Sequence, residues 1–298
     1  ANTFSVTCNV TKNTAQMKSI NFSFIQKNSD EILIDGLFTL KNSQSNNVSE
    51  ITSSETGNYL ISNKKTNFYI GEGKNLQKRL RQQFKPETST FFKTYQKIYG
   101  NNSLKINDFK VQTINTKIGR KELEEFGIVN LKTSLNKFQL EKRSRFNIQQ
   151  NGLWEEVQNS FEQIISEADH KILTNKFTSW FDCDVKIISG IYIVKNKKDE
   201  LIYIGESSNI NERYKTHSGQ TYFSALRRHI GTDILAYQLQ EIKGRKRYFT
   251  EKEDLEVTKY LKNCNAIFYP INFGRYEIEE FMIKKHRPIL NRKENKIE

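Results

Sequence analysis

The chain is poor in the residues that punctuate or staple a fold: of 298 residues, 3 are proline, 3 cysteine, 2 tryptophan and 2 methionine. Cys8, Cys183 and Cys264 are odd in number and far apart, with no CxxC pair. That argues against a disulfide framework or a cysteine-held zinc, and it suits a reducing cytoplasm. No apolar run approaches the length of a membrane span, and the opening ANTFSVTCNVTKNT lacks the apolar core of a signal peptide. The initial Ala is expected to follow a removed methionine. Acidic charge is also short, with 34 Asp+Glu against 47 Lys+Arg, for a net +13 and a pI near 9.4. Such a surface attracts a polyanion, and neutralising phosphates would supply much of the affinity. General solubility accounts for the charge equally well, so charge alone leaves both readings open.

Bulky apolar side chains are not lacking. Hydrophobic content is 36%, with 20 Phe and 13 Tyr, enough for two small cores, and the length suits two modest domains. The stretch that organises the chain is GIYIVKNKKDELIYIGESSNINERYKTH (190–217). GIYIV and LIYIG are rich in β-branched and aromatic residues and read as strands around a polar turn. SSNINERYKTH has capping residues ahead of a helical run. Arg213 and His217 are four apart and share a helix face, so Tyr192, Tyr203, Arg213 and His217 would form a polar group near one sheet surface. Further on, Glu279 and Asn291 stand in EEFMIKKHRPILN.

These positions resemble the GIY-YIG nuclease family in order, spacing and element type. The resemblance implies a helix glutamate, Glu279, as the metal ligand, with Asn291 beyond it. The pattern occurs twice. GNYLISNKKTNFYIGEGKNLQKRLRQQ (57–83) aligns Tyr59, Tyr69, Gly71 and Arg79 with Tyr192, Tyr203, Gly205 and Arg213, and GRKELEEFGIVNLKTSLN (119–136) lies over GRYEIEEFMIKKHRPILN (274–291), pairing Glu124 with Glu279 and Asn136 with Asn291. Two collinear matches point to a duplicated domain. The expected fold class is α+β: two tandem small domains, each a roughly three-stranded sheet flanked by helices, arranged as a pseudo-dimer.

The expected boundaries are an N-terminal arm (1–56), a first nuclease domain (57–140), a helical linker (141–188), and a second nuclease domain (189–298) with an inserted basic hairpin and helix (241–270). EILIDGLFTL (31–40) reads as a strand or hairpin within the arm, although its alternation is imperfect. Pro86 should break the first helix. DILAYQLQ reads as a strand, and Thr250 with Glu253 as a capping box for the following helix. Trp154 and Trp180 read as packing anchors. Arg213 to Glu279 spans 66 positions against 45 from Arg79 to Glu124. The surplus is therefore the expected place for DNA contacts by Arg227, Arg228, Lys243, Arg245 and Arg247, to phosphates in preference to base edges.

Phosphodiester hydrolysis needs an activated water, charge stabilisation on the phosphoryl oxygens, and help for the departing 3′ oxygen. Tyr192 or Tyr203 is the candidate base, a role the resemblance implies without choosing between them; a free tyrosine titrates near 10, so the site must lower it. Arg213 offers a permanent forked charge to the phosphate. Glu279, and Glu124 in the first copy, would each hold one Mg²⁺, with Mn²⁺ substituting. His217 would bond the water or phosphate, and Asn291 would fix backbone geometry. Taken singly, each residue has a plain structural explanation; jointly and twice over, they favour chemistry. The first copy departs from the family pattern at Asn58, Gln83 (in place of His217) and Thr133, yet its Tyr59, Tyr69, Arg79, Glu124 and Asn136 persist, so it too is expected to be active. The expected function is a metal-dependent restriction-type endonuclease (type II) cutting double-stranded DNA, one site per strand, as a monomer. The alternatives are a repair or structure-selective nicking nuclease, or a DNA-binding module with degenerate sites.

Overall fold

The computed structural model describes residues 19–63, 66–85, 88–100, 105–136, 144–242 and 244–292. The expectations on residues 1–18, Pro86 and Lys243, and on the Arg245 side chain, lie outside the described residues. In the first half, helices α1 (Phe22–Lys27) and α2 (Ser29–Asn42) lead to strands β1 (Gly57–Ser62) and β2 (Asn67–Gly73). Helices α3 (Leu76–Gln83) and α4 (Thr90–Tyr99), strand β3 (Lys110–Asn115) and helix α5 (Arg120–Leu131) follow. The second half opens with α6 (Leu153–Asn159), α7 (Phe161–Leu173) and a short strand β4 (Thr178–Ser179). It continues through β5 (Gly190–Lys195), β6 (Leu201–Ser207), α8 (Ile210–Ser218) and α9 (Ala225–His229), then β7 (Gln240–Ile242), β8 (Arg245–Tyr248) and α10 (Glu251–Lys262). Strand β9 (Asn265–Pro270) and helix α11 (Arg275–His286) close it.

The architecture is α+β with several small antiparallel sheets. One has the order β2-β1-β3, another β4-β9-β5-β6, and β7-β8 form a hairpin. The three strands β6-β5-β9 thus repeat the order of β2-β1-β3, with the GIY-type strand central in each. Central strands are covered on both faces, which explains why they read as apolar runs without polar alternation. Leu60, Ile70, Ile191, Ile193 and Ile204 face a core common to both halves, together with α1, α2, α6, α7 and α11. Tyr59, Ile61 and Tyr69 face an outer cluster under α3 and α4, while Tyr192, Val194 and Ile202 face another under α9 and α10.

Residues 31–40 are helix, not strand. Ile32, Leu33, Gly36, Leu37 and Leu40 are all buried, a spacing of three and four that only a helix presents on one side. Gly36 is where the Trp154 ring lies against that helix, and a Cβ there would overlap the ring. DILAYQLQ is likewise no strand: Ile230–Ile234 is a π-helical turn, and extended pairing begins only at Gln240. Within 241–270 the basic hairpin and the capped helix α10 are present, but Asn265–Pro270 is the third strand of the main sheet and not part of an insertion. The region read as a helical linker contributes β4, which pairs with β9. Trp154 and Trp180 are both buried, as packing anchors must be.

The halves meet through contacts that repeat with the partners exchanged. Gly119 and Gly274, each at positive φ (90° and 83°), precede α5 and α11. A side chain at Gly119 would strike Phe273, and one at Gly274 would strike Ile118, the residue corresponding to Phe273. Arg120 donates to Glu277 at 2.8 Å and Glu280 at 3.0 Å, and it lies 3.5 Å from Glu72. Arg275 reaches Glu122 at 2.9 Å, Glu125 at 2.5 Å and Glu206 at 2.8 Å. Each arginine is buried and binds two glutamates of the opposite helix and one of its own half.

The helices ahead of each sheet follow the same rule. Gln26 of α1 accepts from the backbone of Asn272 and Phe273 and donates to the Phe273 carbonyl. Gln158 of α6 does the same for Lys117 and Ile118. Glu167 accepts from the Phe22 N–H, and Asp35 from the Trp154 N–H. The stretches read as arm and linker therefore hold corresponding positions.

Breaking a buried ion pair by removing one partner costs about 3–5 kcal/mol, because the other charge stays desolvated. Glu122, fully buried, loses Arg275 in Arg275→Met. This variant should lose stability of that size in denaturant unfolding monitored by circular dichroism. A loss of only a few tenths would mean that the pair is not what holds the halves together.

Candidate active site

Two constellations form, one on each sheet. On the second, Tyr192 and Tyr203 lie on adjacent strands with rings 5.9 Å apart and nearly parallel at 24°. Gly205 is paired opposite Tyr192 across the strands, and a Cβ on it would overlap the Tyr192 ring. This close approach is the local reason for a glycine there. The Tyr192 hydroxyl lies 2.9 Å from His217 Nε2, and His217 Nδ1 lies 2.6 Å from the Ser224 hydroxyl. Ser224 in turn accepts from the Arg227 N–H as the N-cap of α9. His217 is buried, and burial together with Arg213, Arg227 and Arg228 lowers its pKa to about 3. It is therefore a neutral imidazole over the working range, able to accept a hydrogen bond at one nitrogen and donate one at the other.

Burial pushes the Tyr192 hydroxyl well above its ordinary value, Tyr203 adding to the rise, while Arg213 pulls it down and Glu279 raises it. Tyr203, Arg213 and Glu279 thus all lie within electrostatic reach of one hydroxyl. Glu279 accepts from the Glu206 N–H at 3.0 Å. Asn291 clamps the backbone of Ile204 in both directions, accepting at 2.9 Å and donating at 2.7 Å. The YIG strand is locked in place by that side chain.

The first sheet repeats the frame. Tyr59 and Tyr69 stack at 6.2 Å and 20°, a Cβ on Gly71 would overlap Tyr59, and Asn136 clamps Ile70 at 2.9 and 2.8 Å. Gln83 takes the place of His217. Its amide donates to the Tyr59 hydroxyl at 2.7 Å, and its carbonyl accepts from Ser89, the N-cap of α4, at 3.0 Å. The bridge from tyrosine to serine is kept, but the Gln83 amide nitrogen can only donate a hydrogen bond to the tyrosine and cannot accept one. Burial, with Tyr69 and Glu124 adding and Arg79 opposing, raises the Tyr59 hydroxyl well above its ordinary value. Glu124 is held at 2.7 Å by Lys121, whose counterpart in the second half is Tyr276.

Two kinds of residue were missed in the sequence. Ser89 and Ser224 are the first kind; the signal was that each stands just ahead of a helix, six or seven positions after Gln83 and His217. Lys121 was visible only as a mismatch between GRKELEEF and GRYEIEEF.

The expected DNA contacts divide. Arg227 is corrected to a structural residue: it is fully buried, paired with Asp254 at 3.0 Å, and bonded to Thr258 and the His217 carbonyl. No phosphate could reach it. Arg228 is half-buried, donates to the Tyr222 carbonyl at 2.7 Å, and has its pKa lowered by burial and by Arg247. Arg247 is exposed and lies 5.7 Å from the centre of the Tyr222 ring.

One cleft receives side chains from both constellations: Tyr69, Lys121, Glu124 and Asn136 from the first half, Glu206 and Arg213 from the second. Among the described residues no group of three or more His, Cys, Asp or Glu gathers as a metal site. Glu279, a partly exposed carboxylate, fits an ion such as Mg²⁺ that keeps most of its water and takes one carboxylate together with substrate phosphate. Glu124 does not fit, because an ammonium already sits on its oxygen.

Comparison with known proteins gives a match to the GIY-YIG catalytic domain over residues 174–298 only, which takes in β4 to α11. No curated protein matches the chain. A GIY-YIG catalytic domain implies endonuclease activity on DNA, and these nucleases generally use divalent metals. No described helix is long and apolar enough to cross a membrane.

The lowered His217 pKa sets a pH dependence. The unfolded chain takes up a proton near pH 6.5 that the folded site refuses until about 3, so stability present above 6.5 is lost as pH falls through that window. His217→Gln, which copies the first half, should remove this acid component while keeping the bridge to Tyr192. His217→Leu leaves the Tyr192 and Ser224 hydroxyls unpaired and should cost about 1–3 kcal/mol at pH 7. Urea unfolding at pH 7 and 4.5 checks both; equal acid loss in wild type and His217→Gln would contradict the assignment.

Proposed function

We propose that the chain is a divalent-metal-dependent DNA endonuclease of restriction type (type II), its two halves forming a pseudo-dimer within one polypeptide and each addressing one strand of a duplex. The observation that carries this reading is the common cleft, which Tyr69 and Glu124 enter from one half and Arg213 from the other. The exchanged contacts of Arg120 and Arg275 support it as well, since a self-complementary interface is how two copies of a site come to face one target. In this reading the repeated unit includes the helices ahead of each sheet, α1–α2 and α6–α7, and the enzyme acts in the cytoplasm as a monomer.

In the second half, Arg213 meets the non-bridging oxygens of the scissile phosphate. Tyr192 and Tyr203 face the attacking water as the candidate bases, and neutral His217 orients the Tyr192 hydroxyl by its hydrogen bond. An ion held by Glu279 would supply positive charge to the phosphoryl oxygens and the departing 3′ oxygen. Asn291 positions the strand that carries Tyr203. Arg228 and Arg247 hold the DNA backbone beside this site, and Lys243 and Arg245 are proposed as further phosphate contacts. In the first half Tyr59, Tyr69 and Arg79 take the matching roles. A second reading, a nicking nuclease with one strong site, is favoured by Gln83 in place of His217 and by Lys121 on Glu124.

Supercoiled plasmid with Mg²⁺ tests the reading. Wild type should give discrete linear fragments, Glu279→Ala should slow cutting of its strand by about 100-fold or more, and Glu124→Ala should leave mainly nicked circles. If Glu124→Ala cuts like wild type, the first half is scaffold. If wild type binds DNA and cuts none with Mg²⁺ or Mn²⁺, the nuclease reading fails.

A further inference from the structure

The two halves differ at the place where their frames should agree most closely. Glu124 and Glu279 occupy the same turn of α5 and α11, but one turn earlier stand Lys121 and Tyr276. Lys121 Nζ lies 2.7 Å from Glu124 Oε2 and 4.0 Å from Glu72 Oε1. The Glu124 side chain is only 15% exposed and that of Lys121 36%, so water screens the pair weakly. Lys121 sits between two carboxylates that would repel each other without it, with Glu125 a third acid nearby. A Mg²⁺ ion bonds a carboxylate oxygen at about 2.1 Å and tolerates little distortion of its shell. An ammonium already on Oε2 takes that ground and repels a second cation. Tyr276 brings no charge to Glu279; its ring lies 5.1 Å from the Arg120 guanidinium, at the meeting of the halves.

We propose that Lys121 is the built-in cation of the first half: its ammonium stands where the second half takes a divalent ion, so the chain loads one ion and not two. This rests on the nuclease reading and adds an asymmetry to it. The first half presents Lys121 and Arg79 to its phosphate without metal, the second presents Arg213 and an exchangeable ion. The two strand cuts then differ in metal dependence, and the strand served by Glu279 is the one whose cutting slows when metal is scarce.

Equilibrium titration of the full-length chain with Mn²⁺, following the free ion by electron paramagnetic resonance, tests this without reference to cleavage. Wild type should bind one ion and Glu279→Gln should lose it. Lys121→Tyr, which copies the second half, and Lys121→Met should each bind one ion more than wild type, and Glu124→Gln added to either should remove that extra ion. Circular dichroism confirms that each variant is folded, and the two substitutions guard against failure of one. Wild type binding two ions, one lost in Glu124→Gln, would overturn the proposal, as would folded Lys121 variants that gain none. Retention of the ion by Glu279→Gln in a chain that cuts no DNA would count against the nuclease reading instead, since the gain on replacing Lys121 is scored separately.

Discussion

Two guanidinium groups that cannot lose their charge are buried at the first turns of α5 and α11, and the rest of the arrangement follows from how they are neutralised. Arg120 and Arg275 each need three carboxylates, and neither half supplies all three. Pulling the halves apart would leave desolvated charge on both sides, a penalty no surface pair carries. The geometry also crowds acids together. Glu277 is buried close to Glu122, and its pKa is raised to about 7 despite the Arg120 bond; one Glu122 oxygen has no hydrogen-bond partner. The same helices carry Glu124 and Glu279 on the following turn, so fixing their first turns fixes where the two sites sit.

The second constraint is the pair of helices ahead of each sheet. Gln26 and Gln158 each reach the loop before the other half's site helix and satisfy its backbone, and Asp35 and Glu167 each take an N–H from the opposite helix pair. The glutamine bonds lie next to Gly119 and Gly274, where the chain turns into α5 and α11. The N-terminal ends of α5 and α11 are therefore each positioned by the opposite half.

Strands β1, β2, β3, β5 and β6, helices α4 and α5, the asparagines and the tyrosine pairs were legible in the sequence, because each depends on local pattern and on a motif repeated in order. What escaped depends on partners far away in the chain. EILIDGLFTL reads as a strand or hairpin because Ile32, Ile34, Phe38 and Leu40 alternate, yet the buried set Ile32, Leu33, Gly36, Leu37 and Leu40 is helical and Asp35 is buried for the sake of the Trp154 N–H. The likeness of FSFIQ to LWEEVQ was too thin to read until Gln26 and Gln158 were seen to do the same work. Arg227 was taken for a DNA contact because surface and core arginines look alike in sequence; Asp254 and Thr258, which hold it, lie a helix away. Lys121 was readable as a difference between the copies, but its meaning needed the 2.7 Å contact with Glu124.

The central claim is that one chain brings two unequal sites to one duplex. Single-turnover cleavage of a duplex carrying a mapped cut site, with a different label on each strand, tests it most directly when run at two protein concentrations. The account predicts that both strands are cut within one bound complex, at different rates, and that neither rate changes with protein concentration once DNA is saturated. A second cut that speeds up as protein is added would mean that another molecule supplies it, and a strand that is never cut would mean that the first half is not a working site.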